Sequence, residues 1–333
     1  MHQIDFRAMG CHMFAIVDSN ETRIQDTLKL VPSWFEEWEN VLSRFRADSE
    51  LNRLNVSEGR PFHTSEILFQ VLEQSIIAAH NSNGLVTPTV LDALELAGYD
   101  RSFDSMNANI DRQQLSAVRR LPSLKSQTTN SAMGWRDIEL DASTHTVKLP
   151  RGMRLDFGGT AKGWAADQAA QRLSQVAPAL VDAGGDIAIG GAHANGDRWQ
   201  VAIADPFTPD QDIEQLVIRA GGIATSGRDY RHWQKNGVTQ HHIIDPRTGR
   251  PAETDVWSAS VIAPNTIQAE VAAKVAFILG SQAGLRWIEE QPELACMLVL
   301  EDKRVIQSAR FDEYVWRQVF IAGTNIFEQN ETE

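Results

Sequence analysis

Residues 155–173 read LDFGGTAKGWAADQAAQRL, and the organisation of the chain follows from this stretch. Leu155-Asp156-Phe157 reads as the end of a strand, a glycine pair follows, and a helical pattern opens near Thr160. Gly158 and Gly159 allow the backbone to approach a ligand closely, and a helix start presents unpaired N–H groups to an anion. Asp156 stands where it can accept from a base or sugar donor, and Lys162 where it can face a phosphate or a ring. The same residues also make a helix-capping glycine turn without any ligand, so the segment alone leaves both readings open.

Downstream, ALVDAGGDIAIGG (179–191) is a second strand and glycine turn, with Asp182 and Asp186 flanking Gly184 and Gly185. Such aspartates hold a metal or ligand in some proteins and more often satisfy turn amides. Short strand candidates continue with WQVAIADP, HHIID, SASVIA and CMLVLE, and IELD and TVKLP precede the opening stretch. Two helices interrupt them, one opening near Thr160 and one running from about Ile267 to Leu279. Upstream, alternation at Ile4, Phe6, Phe14 and Ile16 predicts strands. Ile24, Leu28, Val31, Phe35, Trp38 and Leu42 carry helical spacing, interrupted or kinked at Pro32. A cleaner helix starts after Thr64 or Ser65 and ends before Gly84. Residues 102–133 read as a polar surface excursion, and 323–333 as a tail, of one domain spanning 1–333. Strands and helices without strict βαβ alternation predict an α+β fold. A Rossmann domain is the weaker reading, because no G-x-G-x-x-G joins a strand to a helix.

The formal net charge of -13 argues against nucleic-acid partners and a polybasic membrane surface. Backbone N–H groups can still supply local positive potential for an anion. Cys11 and Cys296 form neither a disulfide framework nor a metal spacing. No signal peptide and no membrane-spanning run is seen, so a cytoplasmic protein is expected.

Two later segments carry further candidate chemistry. In GGIATSGRDYRHW (221–233), Ser226–Gly227 reads as a polar turn after an apolar strand. In QHHIIDPRTGRPA (240–252), His242 is the best candidate for acid–base work, and His241 would point to the opposite face of an extended segment. NTIQAEVAAKVAFILG (265–280) is apolar nearly all round except for Glu270 and Lys274, four residues apart on one face. A solvated i,i+4 pair is the bland alternative, but so apolar a helix predicts burial and a site-facing role.

Taken with Ala8-Met9-Gly10, SRFRADSELNRLN (43–55) and GLVTPTV (84–90), these segments in this order resemble the ApbE family, the FAD:protein FMN transferases. The resemblance covers nearly the whole chain. It implies an α+β fold with mixed and antiparallel sheets and packed helices, in two lobes around a flavin-nucleotide cleft. It implies cleavage of the FAD diphosphate and transfer of FMN to a Ser or Thr of an acceptor flavoprotein, releasing AMP. By resemblance, Met9, Phe45, Leu85, Val86, Thr87, Asp156, Lys162 and Ile244 (through its backbone) line the FAD site, and His242 takes the hydroxyl proton. The family's Mg2+ is held by a backbone carbonyl, here near Gly159, and by an Asp and a Thr one helical turn apart. Here Glu270 and Lys274 occupy those two positions. An ammonium cannot ligate a cation, so Lys274 is expected to stand against Glu270 or the phosphates in the metal's place. Thr87 and Asp182 also depart from the usual Asp and Asn. A FAD-binding carrier or sensor that does not transfer, and a FAD pyrophosphatase, are the alternative functions. Family members are often exported lipoproteins, and no lipobox cysteine is seen here.

Overall fold

The computed structural model describes residues 1–107, 134–235 and 237–317. Most of the polar excursion, and the whole of the tail expected over 323–333, lie outside the described residues.

Eight strands form the central sheet: β1 (His2–Ala8), β2 (Cys11–Val17), β3 (Ala179–Ala183), β4 (Ile187–Ile189), β5 (Gly221–Gly227), β6 (Val256–Ala263), β7 (Ala295–Leu300) and β8 (Val305–Gln307). Their spatial order follows their order in the chain, and each neighbour pair is antiparallel. The expected α+β class holds, with antiparallel pairing throughout the described sheets rather than mixed pairing. Ser226 and Gly227 are not a turn. They close β5, paired with Ala259 and Ser258 of β6.

The middle strands of this sheet are buried on both faces, which explains why they are apolar at consecutive positions, whereas the edge strand β1 exposes alternate residues. Met13, Ala15 and Val17 of β2, with Ala179, Val181 and Ala183 of β3, pack into the helical layer. Phe14, Ile16 and Leu180 point the other way, against a hairpin of Trp199–Asp205 and Thr208–Ile218. The second hairpin strand carries no apolar alternation over its first five residues because these are exposed.

The helices are α1 (Thr22–Leu28), α2 (Val31–Leu42), α3 (Glu50–Asn55), α4 (Glu66–Asn81), α5 (Leu91–Ala97), α6 (Phe103–Asn107), α7 (Ala161–Ser174) and α8 (Thr266–Glu289). Pro32 does interrupt the first helical pattern, sitting in the first turn of α2 where its missing N–H costs nothing. Ser65 caps α4, accepting from Leu68 N–H. A chain of edge-to-face rings, Phe6–Phe35 at 5.3 Å, Phe35–Trp38 at 5.0 Å and Trp38–Trp164 at 5.4 Å, ties β1 through α2 to α7. Helix α8 runs past the expected end near Leu279. Gly280, at φ 81°, breaks it, and Asp255 accepts the Ser281 N–H to restart it.

Two contacts fix the start of α8, one from α7 and one from β5. Asp167 of α7 accepts the Thr266 N–H (2.9 Å) and the Ile267 N–H (3.1 Å), capping a neighbouring helix with its own side chain. Gly222 of β5 lies so close to the start of α8 that a Cβ there would stand 2.3 Å from the Thr266 nitrogen. These contacts set the height of Glu270 and Lys274 relative to Lys162.

Candidate functional site

A cleft of about 360 Å³ opens where the β1–β2 turn, the loops before α3 and α5, the glycine turn and the segment after the His232–His241 hairpin converge. Met9, Phe45, Leu85, Val86, Thr87, Asp156, Gly159, Lys162, His242, Ile244 and Lys274 all line it. Glu270 lies beneath the surface, 1% exposed. A larger groove of about 1280 Å³, between α4, α7 and α8, has several glutamines in its lining and includes none of these residues.

Local hydrogen bonding shows why segments far apart in sequence meet here. Met9 and Gly10 take positive φ in the two-residue turn between β1 and β2, and the Met9 N–H donates to Glu39 at 3.0 Å. In SRFRADSELN, the Asn52 amide donates to the carbonyls of Arg44 (2.9 Å) and Arg46 (2.8 Å), fixing the loop that presents Arg44 and Phe45. Asn55 clamps both backbone groups of Leu155, at 2.7 and 2.9 Å. The Asp156 N–H then donates to the Pro88 carbonyl at 2.8 Å, joining the glycine turn to the 84–90 segment. Leu155–Phe157 pairs in no sheet, so the expected strand end is a loop held by side chains.

Asp156 is already partnered. Its Oδ2 lies 2.7 Å from Arg44 Nε, and its Oδ1 accepts the Gly158 N–H at 2.8 Å. Arg44, with a side chain 5% exposed, lies over the rings of Phe45 (4.1 Å) and Tyr99 (4.7 Å), and neither its Nε, though close to Asp156, nor its Nη2 makes a hydrogen bond among the described residues. Phe45 meets Tyr99 edge-on, and Tyr99 stacks on Trp233. This wall of rings and one guanidinium suits a planar heterocycle. Sequence reading missed Arg44, although it sits beside Phe45 in the quoted motif.

Below the glycine turn lies a four-charge network. Lys162 pairs with Asp186, and Lys274 Nζ lies 2.9 Å from Glu270 Oε1. Glu270 Oε2 accepts the Gly163 N–H at 3.0 Å, so one amide at the start of α7 is already engaged. Burial opposes the charge on Lys162, but Asp186 and Glu270 outweigh it and raise its pKa. Burial pushes Asp186 up to about 6 despite Lys162. Burial would also raise Glu270, yet Lys274 and Lys162 hold it below the ordinary value. Asp182, by contrast, accepts the Gly185 N–H at 2.6 Å and serves its turn.

The two histidines differ as their alternation predicts. His241 is buried, accepts the Ile243 N–H on Nδ1 (3.3 Å) and therefore donates from Nε2 to the Ala252 carbonyl (3.0 Å). His242 turns into the cleft with Nδ1 3.4 Å from the Arg231 carbonyl, an acceptor, which places the proton on Nδ1 and the lone pair on Nε2. Burial first, then Arg231 and Lys274, lower its pKa well below the usual histidine value. Arg231 lines the same cleft, donates to Cys11 Sγ at 2.8 Å and makes no carboxylate ion pair among the described residues. Its signal was its place four residues past Gly227, one turn before the histidines.

This geometry defines an α+β protein with a cation-lined cleft flanked by a neutral histidine, an arrangement suited to an anionic nucleotide. The ApbE family model matches residues 9–298, and the chain belongs to that family. It is 34% identical over 306 residues to the FAD:protein FMN transferase of Treponema pallidum, covering 86% of this chain and 80% of that protein. It is 29% identical over 272 residues to the namesake of Vibrio cholerae, covering 80% and 77%. Among solved structures, the ApbE protein of Thermotoga maritima superposes with a TM-score of 0.81 at 24% identity, covering 95% of this chain and 99% of that one. The Vibrio cholerae flavin transferase ApbE gives a TM-score of 0.73 at 23% identity, covering 94% and 99%.

Proposed function

We propose that this protein is a FAD:protein FMN transferase that moves FMN from FAD to a Ser or Thr of an acceptor flavoprotein. The observation that carries the reading is His242: neutral, with its tautomer fixed by the Arg231 carbonyl, beside a cleft lined by Arg231 and Lys274. Phe45, Tyr99 and Arg44 supply a surface for a ring system, and the glycine turn admits the diphosphate. Met9, Leu85, Val86, Thr87, Asp156, Lys162 and Ile244 complete the FAD site in this reading.

In the transfer step the acceptor hydroxyl oxygen attacks the phosphorus on the FMN side. The new P–O bond forms as the bond to the bridging oxygen breaks, and AMP leaves with that oxygen. The hydroxyl proton passes to His242 Nε2. Burial first, then Arg231 and Lys274, lower the basicity of His242. An entering diphosphate offsets their charge and makes the imidazole a better base when substrate is present.

Mg2+, which the family resemblance implies, is poorly suited to the donors present. Glu270 has one oxygen on an ammonium and the other on a backbone N–H, and Lys274 offers no lone pair. No group of three His, Cys, Asp or Glu side chains suited to a metal occurs among the described residues.

Incubation with FAD and a Ser/Thr-bearing acceptor domain, read by intact mass and AMP release, tests the reading. A covalent FMN adduct with one AMP per adduct is expected, lost in His242→Ala while FAD binding persists. AMP without adduct would instead indicate a pyrophosphatase, and tight FAD binding without AMP a carrier.

A further inference from the structure

Lys274 is built into the place where a cation would have to sit. Its Nζ lies 2.9 Å from Glu270 Oε1. Its stem runs along the glycine turn, so that a Cβ on Gly159 would lie 3.6 Å from Lys274 Cε. The remaining Glu270 oxygen is held by the Gly163 N–H at 3.0 Å, and Glu270 is 1% exposed while Lys274 lines the cleft. A divalent ion could reach this carboxylate only by expelling an ammonium that is packed, hydrogen-bonded and ion-paired. Removing one partner of such a buried pair is strongly unfavourable. Lys162, the other nearby cation, is committed to Asp186. Arg231, beside His242, has no carboxylate ion pair among the described residues and supplies a second positive charge.

We propose that the Lys274 ammonium replaces the divalent cation, with Arg231 as second positive charge, so that the cleft engages the FAD diphosphate without metal. The inference rests on the FAD reading given above. Charge on the phosphoryl oxygens is then met by N–H donors that are present before the substrate arrives and need no ion to be recruited.

Three measurements decide it. FAD affinity of the metal-stripped protein, by fluorescence titration, is expected to agree within about twofold between EDTA and MgCl2. An affinity about tenfold or more tighter in MgCl2, about 1.4 kcal/mol, overturns the inference. The double variant Glu270→Asp with Lys274→Thr removes the ammonium and frees a carboxylate. Its FAD affinity should fall about tenfold in EDTA and recover in MgCl2, and unchanged affinity without metal response counts against the role of Lys274. Mn2+ binding without FAD, followed by EPR, is expected in the double variant and not in the natural protein. A stoichiometric Mn2+ in the natural protein overturns the inference even if neither protein binds FAD. The FAD reading itself fails separately, by absence of FAD binding under every condition.

Discussion

Acidification separates the adjacent histidines by their effects. Burial, with smaller contributions from Arg228 and His232, lowers the His241 pKa from 6.5 to about 4 against the opposing bond to Ala252. Its folded value therefore lies below its unfolded value. As pH falls, the unfolded chain takes up the proton first, so the contribution is fully present above about 6.5 and is lost progressively down to about 4. Integrated between about pH 7.5 and about pH 4.5, this amounts to about 2.5 kcal/mol of lost stability. The replacement His241→Gln is neutral at every pH and retains a donor for the Ala252 carbonyl and an acceptor for the Ile243 N–H. Urea unfolding followed by tryptophan fluorescence at both pH values gives four free energies. The natural protein should lose about 2.5 kcal/mol more than the variant on acidification.

The subtraction matters because other groups titrate in the same window. The raised Asp186 carboxyl, at about 6, works in the opposite direction, favouring the folded state as pH falls through that value. Both proteins carry Asp186 and His242, so their contributions cancel between the profiles. Parallel profiles would refute the reasoning, since they would mean that His241 is solvated or protonated in the folded protein.

Gly222→Ala should unfold the protein or cost roughly 3 kcal/mol or more, because the new Cβ meets backbone of α8 rather than a movable side chain; thermal denaturation reports it. Asp167→Ala leaves two N–H groups at the start of α8 without their acceptor and should cost about 2 kcal/mol in urea unfolding. Arg44→Met keeps the stem near Phe45 and Tyr99 but removes the charge facing Asp156. FAD affinity, measured by fluorescence titration, should fall about tenfold. The kcat/KM of transfer, which reports the free enzyme, should show no loss near pH 6.5 as pH falls, because burial first, then Arg231 and Lys274, hold His242 well below its usual range; a stopped AMP assay at low FAD across pH checks it.

Much of this was legible before the structure. The alternation in β1 and β2, the helix after Ser65 and the opposed faces of His241 and His242 follow from periods of two and 3.6 residues. What periodicity cannot carry is partnership. Lys162 and Asp186 are separated by 24 positions, and either could have faced a ligand instead of the other. The Asn52 and Asn55 clamps use residues that look like ordinary helix polar positions until their carbonyl partners are known. Strand Thr208–Ile218 escaped notice because its exposed half carries no pattern, and Gly280 read as a stop because Asp255, which restarts the helix, lies 25 positions away in another segment. The Arg44 partner of Asp156 was hidden for the same reason, being set by a loop more than a hundred residues upstream.

The net charge of -13 and the cation-lined cleft are reconciled by pairing. Arg44, Lys162 and Lys274 each have a carboxylate: Asp156, Asp186 and Glu270. Those carboxylates offset the cost of burying the cations, while cancelling their charge at a distance. Arg231 has no such ion pair among the described residues, and it borders His242. Up close the cleft is a set of oriented donors, whereas from far away the acidic surface dominates. Selectivity for an anionic nucleotide in this protein is therefore a property of contact geometry and desolvation, not of long-range attraction. That is why exchanging one cation for a neutral residue at Lys274 would alter the site more than its share of the total charge suggests.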